Sequence, residues 1–302
     1  MIEAKELTKR YGGTTAVDDL TFTVRPGRVT GFLGPNGAGK STTLRLILGL
    51  NDPSAGTVTV GDRAFRDRPR GLRHVGALLD AGDVHGGRTA AGHLAVLARS
   101  NRIPRRRVDE VLADVGLTGA ARRRIGGFSL GMKQRLGIAA ALLGDPPVLL
   151  FDEPLNGLDP EGVLWVRGLF RRLADEGRTV FVSSHLMSEM EHTADDLVVI
   201  GRGRLIAAES LTAFAGRAAG TGVAVRTPER AALTGVLTAE GATVREDGPL
   251  LAVTGLDAAR IGDLACAHCL PLHELAPRAA SLEDAFMELT ADSVEYLAGD
   301  PR

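Results

Sequence analysis

Lysine is nearly absent from this 302-residue chain: Lys5, Lys9, Lys40 and Lys133 are the whole set, and the remaining basic charge is arginine. We read that bias as genome composition. Its local clusters, Arg105-Arg106-Arg107 and Arg122-Arg123-Arg124, read as solvated helix faces. Cysteine is almost missing too, and the pair Cys266 and Cys269 cannot build a disulfide scaffold. A formal net charge of −1 removes any general attraction to nucleic acid or acidic lipid. No apolar run approaches the ~20 residues that cross a bilayer. The start, Met1-Ile2-Glu3-Ala4-Lys5-Glu6, has no signal-peptide core. Internal repeats and low-complexity segments are lacking. The expectation is a soluble cytoplasmic protein of one large domain or two.

Against that scarcity, one of the four lysines ends the stretch Gly34-Pro35-Asn36-Gly37-Ala38-Gly39-Lys40-Ser41, with Thr42 following. Gly, four free positions, Gly-Lys-Ser is the phosphate-binding loop of nucleotide hydrolases. It needs a strand before it and a helix after it. Val29-Thr30-Gly31-Phe32-Leu33 reads as a short buried strand, and Ser41 to Leu50 has helical periodicity through Leu44, Ile47 and Leu48. Glycines let successive N–H groups turn toward phosphate oxygens, and the helix N-terminus adds positive field. Lys40 supplies a point charge, and the Ser41 hydroxyl can ligate Mg²⁺.

Residues 1 to 33 read as strands; Leu20-Thr21-Phe22-Thr23-Val24 alternates cleanly before the turn Arg25-Pro26-Gly27-Arg28. Tyr11 lies in a polar, glycine-flanked loop, where it could stack on a base or simply be half-buried. Thr57-Val58-Thr59-Val60 and His74 to Leu79 read as strands, the second running into Asp80. From about Thr89 to Gly144 the period is helical, with Val108, Val111, Leu112 and Val115 as one stripe and Gly116 as its cap. This is a helical insertion in an α/β core. Ser129 is placed as N-cap of a helix from Leu130 to Leu143, which is either a plain capped helix or a second anion site.

Val148-Leu149-Leu150-Phe151 suits a central parallel strand, and Asp152-Glu153 stand at its carboxyl end, where α/β folds bind ligands. Asp152 would hold Mg²⁺ through its water shell, and Glu153 would take a proton from the attacking water. Asp159-Pro160 opens a helix to Asp175. Thr179 to Ser183 is the next strand, carrying His185 toward the same crevice, and Leu197 to Ala207 reads as a closing hairpin. Phe214 to Gly222 softens into an expected linker. Beyond it come strand, helix, strand, strand, helix, strand and a last helix from Ser281 to Thr290. Cys266-Ala267-His268-Cys269 has half of a zinc spacing but no second ligand pair beyond His273.

Together these motifs resemble, over roughly the first 215 residues, the nucleotide-binding subunit of ATP-binding cassette (ABC) transporters. The resemblance implies an α/β P-loop NTPase cassette: a parallel sheet core with an N-terminal antiparallel β subdomain, spanning 1–216 with its helical insertion at about 82–145. A small α+β accessory module would occupy 221–302. It implies ATP and Mg²⁺ as ligands, Tyr11 on adenine, Gly34 to Thr42 on the phosphates and Mg²⁺, and catalysis by Lys40, Glu153 and His185, the last as switch histidine. Ser129, Leu130, Gly131 and Met132 would be the signature that meets ATP bound to the opposite subunit, and Asp159 would lie in the loop crossing the dimer. Partners would be a second copy and membrane permease subunits, with no nucleic acid, at the cytoplasmic face of the membrane. The tail Ser281 to Thr290 is similar to that of the drug- and antibiotic-export branch, so the implied work is transport-coupled ATP hydrolysis for export of a drug, antibiotic or lipid-like substrate. The rival reading is a soluble ABC ATPase acting on nucleic acid or ribosomes, which the single phosphate loop and the lack of basic surplus oppose.

Two departures from the family stand out. The usual Leu-Ser-Gly-Gly-Gln is here Phe128-Ser129-Leu130-Gly131-Met132, which keeps the serine and the second glycine. Asp80 stands where the family usually has a glutamine. Either it reaches the metal through water, or the link to the membrane partner is altered.

Overall fold

The computed structural model describes residues 1–218, 222–278 and 282–290. The chain divides into two compact units, one built on Met1–Leu211 and the other on Thr212–Glu288.

In chain order the first unit runs β1 (Ile2–Tyr11), β2 (Thr14–Val24), β3 (Arg28–Leu33), α1 (Lys40–Ile47), β4 (Ala55–Val60), β5 (Val75–Leu78), α2 (Ala90–Ser100), α3 (Arg106–Asp114), α4 (Leu130–Leu142), β6 (Val148–Asp152), α5 (Pro160–Asp175), β7 (Thr179–Ser184), α6 (Met187–Glu191), β8 (Asp196–Gly201) and β9 (Arg204–Ser210). A six-stranded sheet has the order β5-β6-β7-β3-β8-β9, parallel except for β9. Its inner strands are buried along nearly their whole length, as continuous apolar runs such as Val148 to Phe151 require. A three-stranded antiparallel sheet, β2-β1-β4, alternates instead: Leu20, Phe22 and Val24 point inward while Thr21 and Thr23 face water. The two sheets share one core, where Phe22, Phe32 and Phe181 stack with ring centroids 4.9–5.9 Å apart.

Helices α2 to α4 are inserted between β5 and β6. The stripe Val108, Val111, Leu112 and Val115 is buried as its period demands. Gly116, at φ 71°, closes α3: its N–H returns to Ala113 and that of Leu117 to Leu112. Helix α1 is shorter than the expected Ser41–Leu50, because the Leu50 N–H turns back to the Arg45 carbonyl.

The second unit holds α7 (Leu211–Ala218) from Thr212 onward, β10 (Gly222–Arg226), α8 (Arg230–Ala239), β11 (Thr243–Asp247), β12 (Leu250–Thr254), α9 (Ala258–Ala267), β13 (Glu274–Arg278) and α10 (Leu282–Thr290) as far as Glu288. Its β-α-β-β-α-β stretch forms an antiparallel sheet of order β11-β12-β10-β13, the ferredoxin-like arrangement, around Val223, Val225, Leu233, Leu251 and Ile261. The expected linker at Phe214–Gly222 is in its described part a helix. Its first part is helix α7 with Phe214 only 1% exposed; the alanines flanking Phe214 favour helix, and a buried phenylalanine anchors it. The rest of that stretch up to residue 221 lies outside the described residues, as do residues 279–281, Ser281 among them, and residues 291–302 of the expected accessory module. Cys266 and Cys269 are exposed free thiols, and no metal-holding cluster occurs among the described residues.

Phe181 is the middle of the stack that joins the two sheets. Replacing Phe181 with Ala should cost the first unit about 3–5 kcal/mol, read by urea unfolding with the single Trp165 as probe. A loss under about 1 kcal/mol would show that the stack relaxes rather than leaving a cavity.

Candidate active site

Strand β3 delivers the chain from the centre of the sheet into the phosphate loop. Gly39 caps α1 at φ 101°, and a Cβ there would come within 2.4 Å of the Ala16 carbonyl oxygen, so only glycine fits. The β8–β9 hairpin braces the loop from outside. Gly203 N–H donates to the Ala38 carbonyl at 3.0 Å, and Asp18 N–H donates to the Gly203 carbonyl at 2.9 Å. Helix α1 has no acidic residue in its first turn, so its N-terminal field stays positive. Lys40 is 6% exposed, and its ammonium donates to the carbonyls of Gly34 at 2.6 Å and Pro35 at 3.2 Å. Burial pulls the Lys40 pKa down, and the nearby Glu153 and Asp152 carboxylates oppose that.

Asp152 ends β6, with its neighbour Ser183 on β7 donating a short hydrogen bond to Oδ1. Glu153 follows in left-handed backbone, φ 47°, which costs a non-glycine residue about 1–2 kcal/mol. Three bonds hold it there: its N–H donates to Ser183 Oγ at 3.0 Å, and its carbonyl accepts from Gln134 Nε2 at 2.9 Å and from the Asn156 N–H at 3.3 Å. That posture aims the carboxylate between two nitrogens. Oε1 lies 3.9 Å from Lys40 Nζ and Oε2 lies 3.0 Å from His185 Nδ1. With its proton on Nδ1, His185 donates to Glu153 and leaves Nε2 free to accept. The backbone beside His185 is pinned by buried Ser184, whose hydroxyl accepts from Leu186 N–H at 3.0 Å and donates to Glu189 Oε2 at 2.5 Å.

The structure thus brings Lys40, Asp152, Glu153 and His185 to one edge of the sheet. The exposed Ser41 hydroxyl and the Asp152 carboxylate are hard oxygen donors of the kind Mg²⁺ takes. The other expected residues make no hydrogen bond or ion pair with this group and have partners of their own. Ser129 caps α4, its Oγ accepting from Met132 N–H at 3.2 Å, and Asp159 caps α5 by accepting from Gly162 N–H at 3.0 Å. These two caps are close in space, since a Cβ on Gly157 would meet Leu130 Cδ2 at 2.2 Å. Tyr11 is 48% exposed at the β1–β2 hairpin; its hydroxyl accepts from Asn51, and Lys9 Nζ lies 4.9 Å over its ring. Asp80 is exposed two residues past β5, where its Oδ1 accepts from Gly82 N–H at 2.6 Å.

Ser183, Ser184, Glu189 and Gln134 join the site without belonging to any of its motifs. Two serines ending an otherwise apolar strand, and a glutamine on the buried side of α4, were the available signals.

Residues 17–156 match the family described as ABC transporter, and residues 221–283 match a domain of unknown function (DUF8746). The Uncharacterized ABC transporter ATP-binding protein YhcH of Bacillus subtilis (strain 168) is 36% identical over 98% of this chain and 97% of its own length. The Bacitracin transport ATP-binding protein BcrA of Bacillus licheniformis is 43% identical over 68% of each. Among solved structures, the dimeric post-hydrolysis state of the ATP-binding cassette MJ0796 bound to ADP and Pi superposes with TM-score 0.64 at 25% identity, over 70% of this chain and 99% of that one. The α/β P-loop NTPase expectation therefore holds, and the chain belongs to the ABC transporter ATP-binding proteins and is an ATPase.

Proposed function

We propose that this ATPase powers export of a drug, antibiotic or lipid-like substrate through separate membrane permease subunits, working as a head-to-tail pair at the cytoplasmic face of the membrane. The carrying observation is the Glu153 carboxylate suspended between Lys40 and His185 beside the phosphate loop. Support for export comes from relatives whose names are bacitracin transport, lantibiotic transport and Nod factor export ATP-binding proteins. The dimeric MJ0796 cassette supports pairing. In this reading 1–216 is the ATP-binding domain and 221–302 an accessory domain.

The roles follow from chemistry. Gly34 to Thr42 offer backbone amides to the phosphates, Tyr11 offers a ring edge or face to adenine, and Lys40 gives the outer phosphates its charge. Glu153 takes the proton of the attacking water, and His185 orients Glu153 while its Nε2 faces the crevice. Mg²⁺, held by Ser41 and through water by Asp152, would offset phosphate charge. Ser129 to Met132 of one copy would meet the nucleotide of the other, with Asp159 in the loop between them. Fixed charges and amides then supply most of the rate. Asp80 would couple this site to the membrane subunit.

Replacing Glu153 with Gln should lower turnover ~10²–10⁴-fold while sparing ATP binding; steady-state hydrolysis at the wild-type rate would remove Glu153 from the base role. Replacing Lys40 with Ala should weaken ATP binding by ~2–5 kcal/mol, measured by calorimetry, with unchanged affinity as the contrary result. Asp80→Asn keeps an oxygen for the Gly82 N–H and removes only the charge. It should lower the ATPase rate measured with the membrane subunit present, and an unchanged rate would show the charge dispensable.

A further inference from the structure

The first half of α4 is bound to the chain segment that follows β6 at two places. Gln134, 4% exposed, donates from Nε2 to the Glu153 carbonyl at 2.9 Å, and Leu130 lies over Gly157 so closely that a Cβ there has no room. Nothing about ATP chemistry requires a helix in the inserted subdomain to hold the backbone of the residue that carries the base. The bond matters because Glu153 is the one residue of this segment in left-handed backbone without being glycine. Its N–H is fixed by Ser183, while its carbonyl is reached by the Gln134 amide at 2.9 Å and by the Asn156 N–H only at the long distance of 3.3 Å; without Gln134 the carbonyl side is held weakly, and the peptide can swing about φ toward the broader right-handed basins. Such a swing would carry the carboxylate away from both Lys40 Nζ and His185 Nδ1, the two nitrogens that define its working position.

We infer that Gln134 is a positioning residue for the hydrolytic base: its amide locks the Glu153 carbonyl, and through it the side chain, without touching nucleotide. This rests on the proposed role of Glu153. It also places the lock on the helix capped by Ser129, five residues or about 7.5 Å along a rigid rod from that serine. In the proposed pair, the helix that meets the other copy's nucleotide would be the one that holds the base of its own site.

Methionine matches glutamine in length and burial but has no donor, so Gln134→Met removes the lock with little loss of volume. In the full chain, turnover should fall ~10–100-fold, as misplacement of a reacting group does, while ATP affinity stays within about two-fold. The second arm uses the Glu153→Gln background: there the added Gln134→Met should leave residual hydrolysis unchanged, because a lock on an absent base has nothing to hold. Turnover of Gln134→Met equal to wild type would overturn the inference. So would equal losses of turnover and affinity, or losses that multiply in the double variant, since both describe a merely structural amide. The single Glu153→Gln variant separates the two claims. If it hydrolyses normally, the role of Glu153 fails; if it is impaired and Gln134→Met is not, only the positioning role fails.

Discussion

The structure turns on placing one carboxylate, that of Glu153, against a buried cation. A lysine with 6% exposure is stable only where carbonyl oxygens and a counter-charge replace its water, and Gly34, Pro35 and Glu153 provide these. The same geometry keeps the carboxylate dry on one side and in reach of a crevice on the other. The six-stranded sheet of the first unit makes that meeting possible. The central strand β3 brings Lys40, the neighbouring strands β6 and β7 bring Glu153 and His185, and the hairpin β8–β9 stiffens the loop between them.

Parallel strands suit this work because their carboxyl ends lie along a single edge, so residues far apart in sequence arrive side by side. The register shows it directly: Asp152 pairs with Ser183, and Leu33, the last residue before the phosphate loop, pairs with Ser184. The phenylalanine stack beneath keeps the two sheets from shifting against each other. The second unit is built differently, as an antiparallel sheet with its own core, and shares its sequence match with a domain to which no function is attached.

Much of the fold was legible because its signals are local. Alternation in Leu20 to Val24, the apolar run Val148 to Phe151 and the caps Ser129 and Asp159 each depend on a few neighbouring residues, and each forms as read. The stretch around Phe214 is not legible in this way, because softness of composition does not distinguish a helix from a linker. Alanine-rich helix and flexible linker share much of their composition, and only the burial of Phe214 separates them. The site was legible in part: motif spacing named Lys40, Asp152, Glu153 and His185, but Gln134 and Ser183, which hold the Glu153 backbone, stand elsewhere in the chain.

The amino-acid sequence by itself determined the phosphate loop, the strands that flank it and the order of the acidic and histidine residues, since spacing and periodicity are properties of a linear chain. Only tertiary structure decided that Gln134 and Ser183 would grip the Glu153 backbone from opposite sides and that the Tyr11 hydroxyl would take Asn51 as its partner. A hydrogen bond between residues separated by 19 or 30 positions depends on how sheets and helices pack, and no short-range pattern encodes that distance.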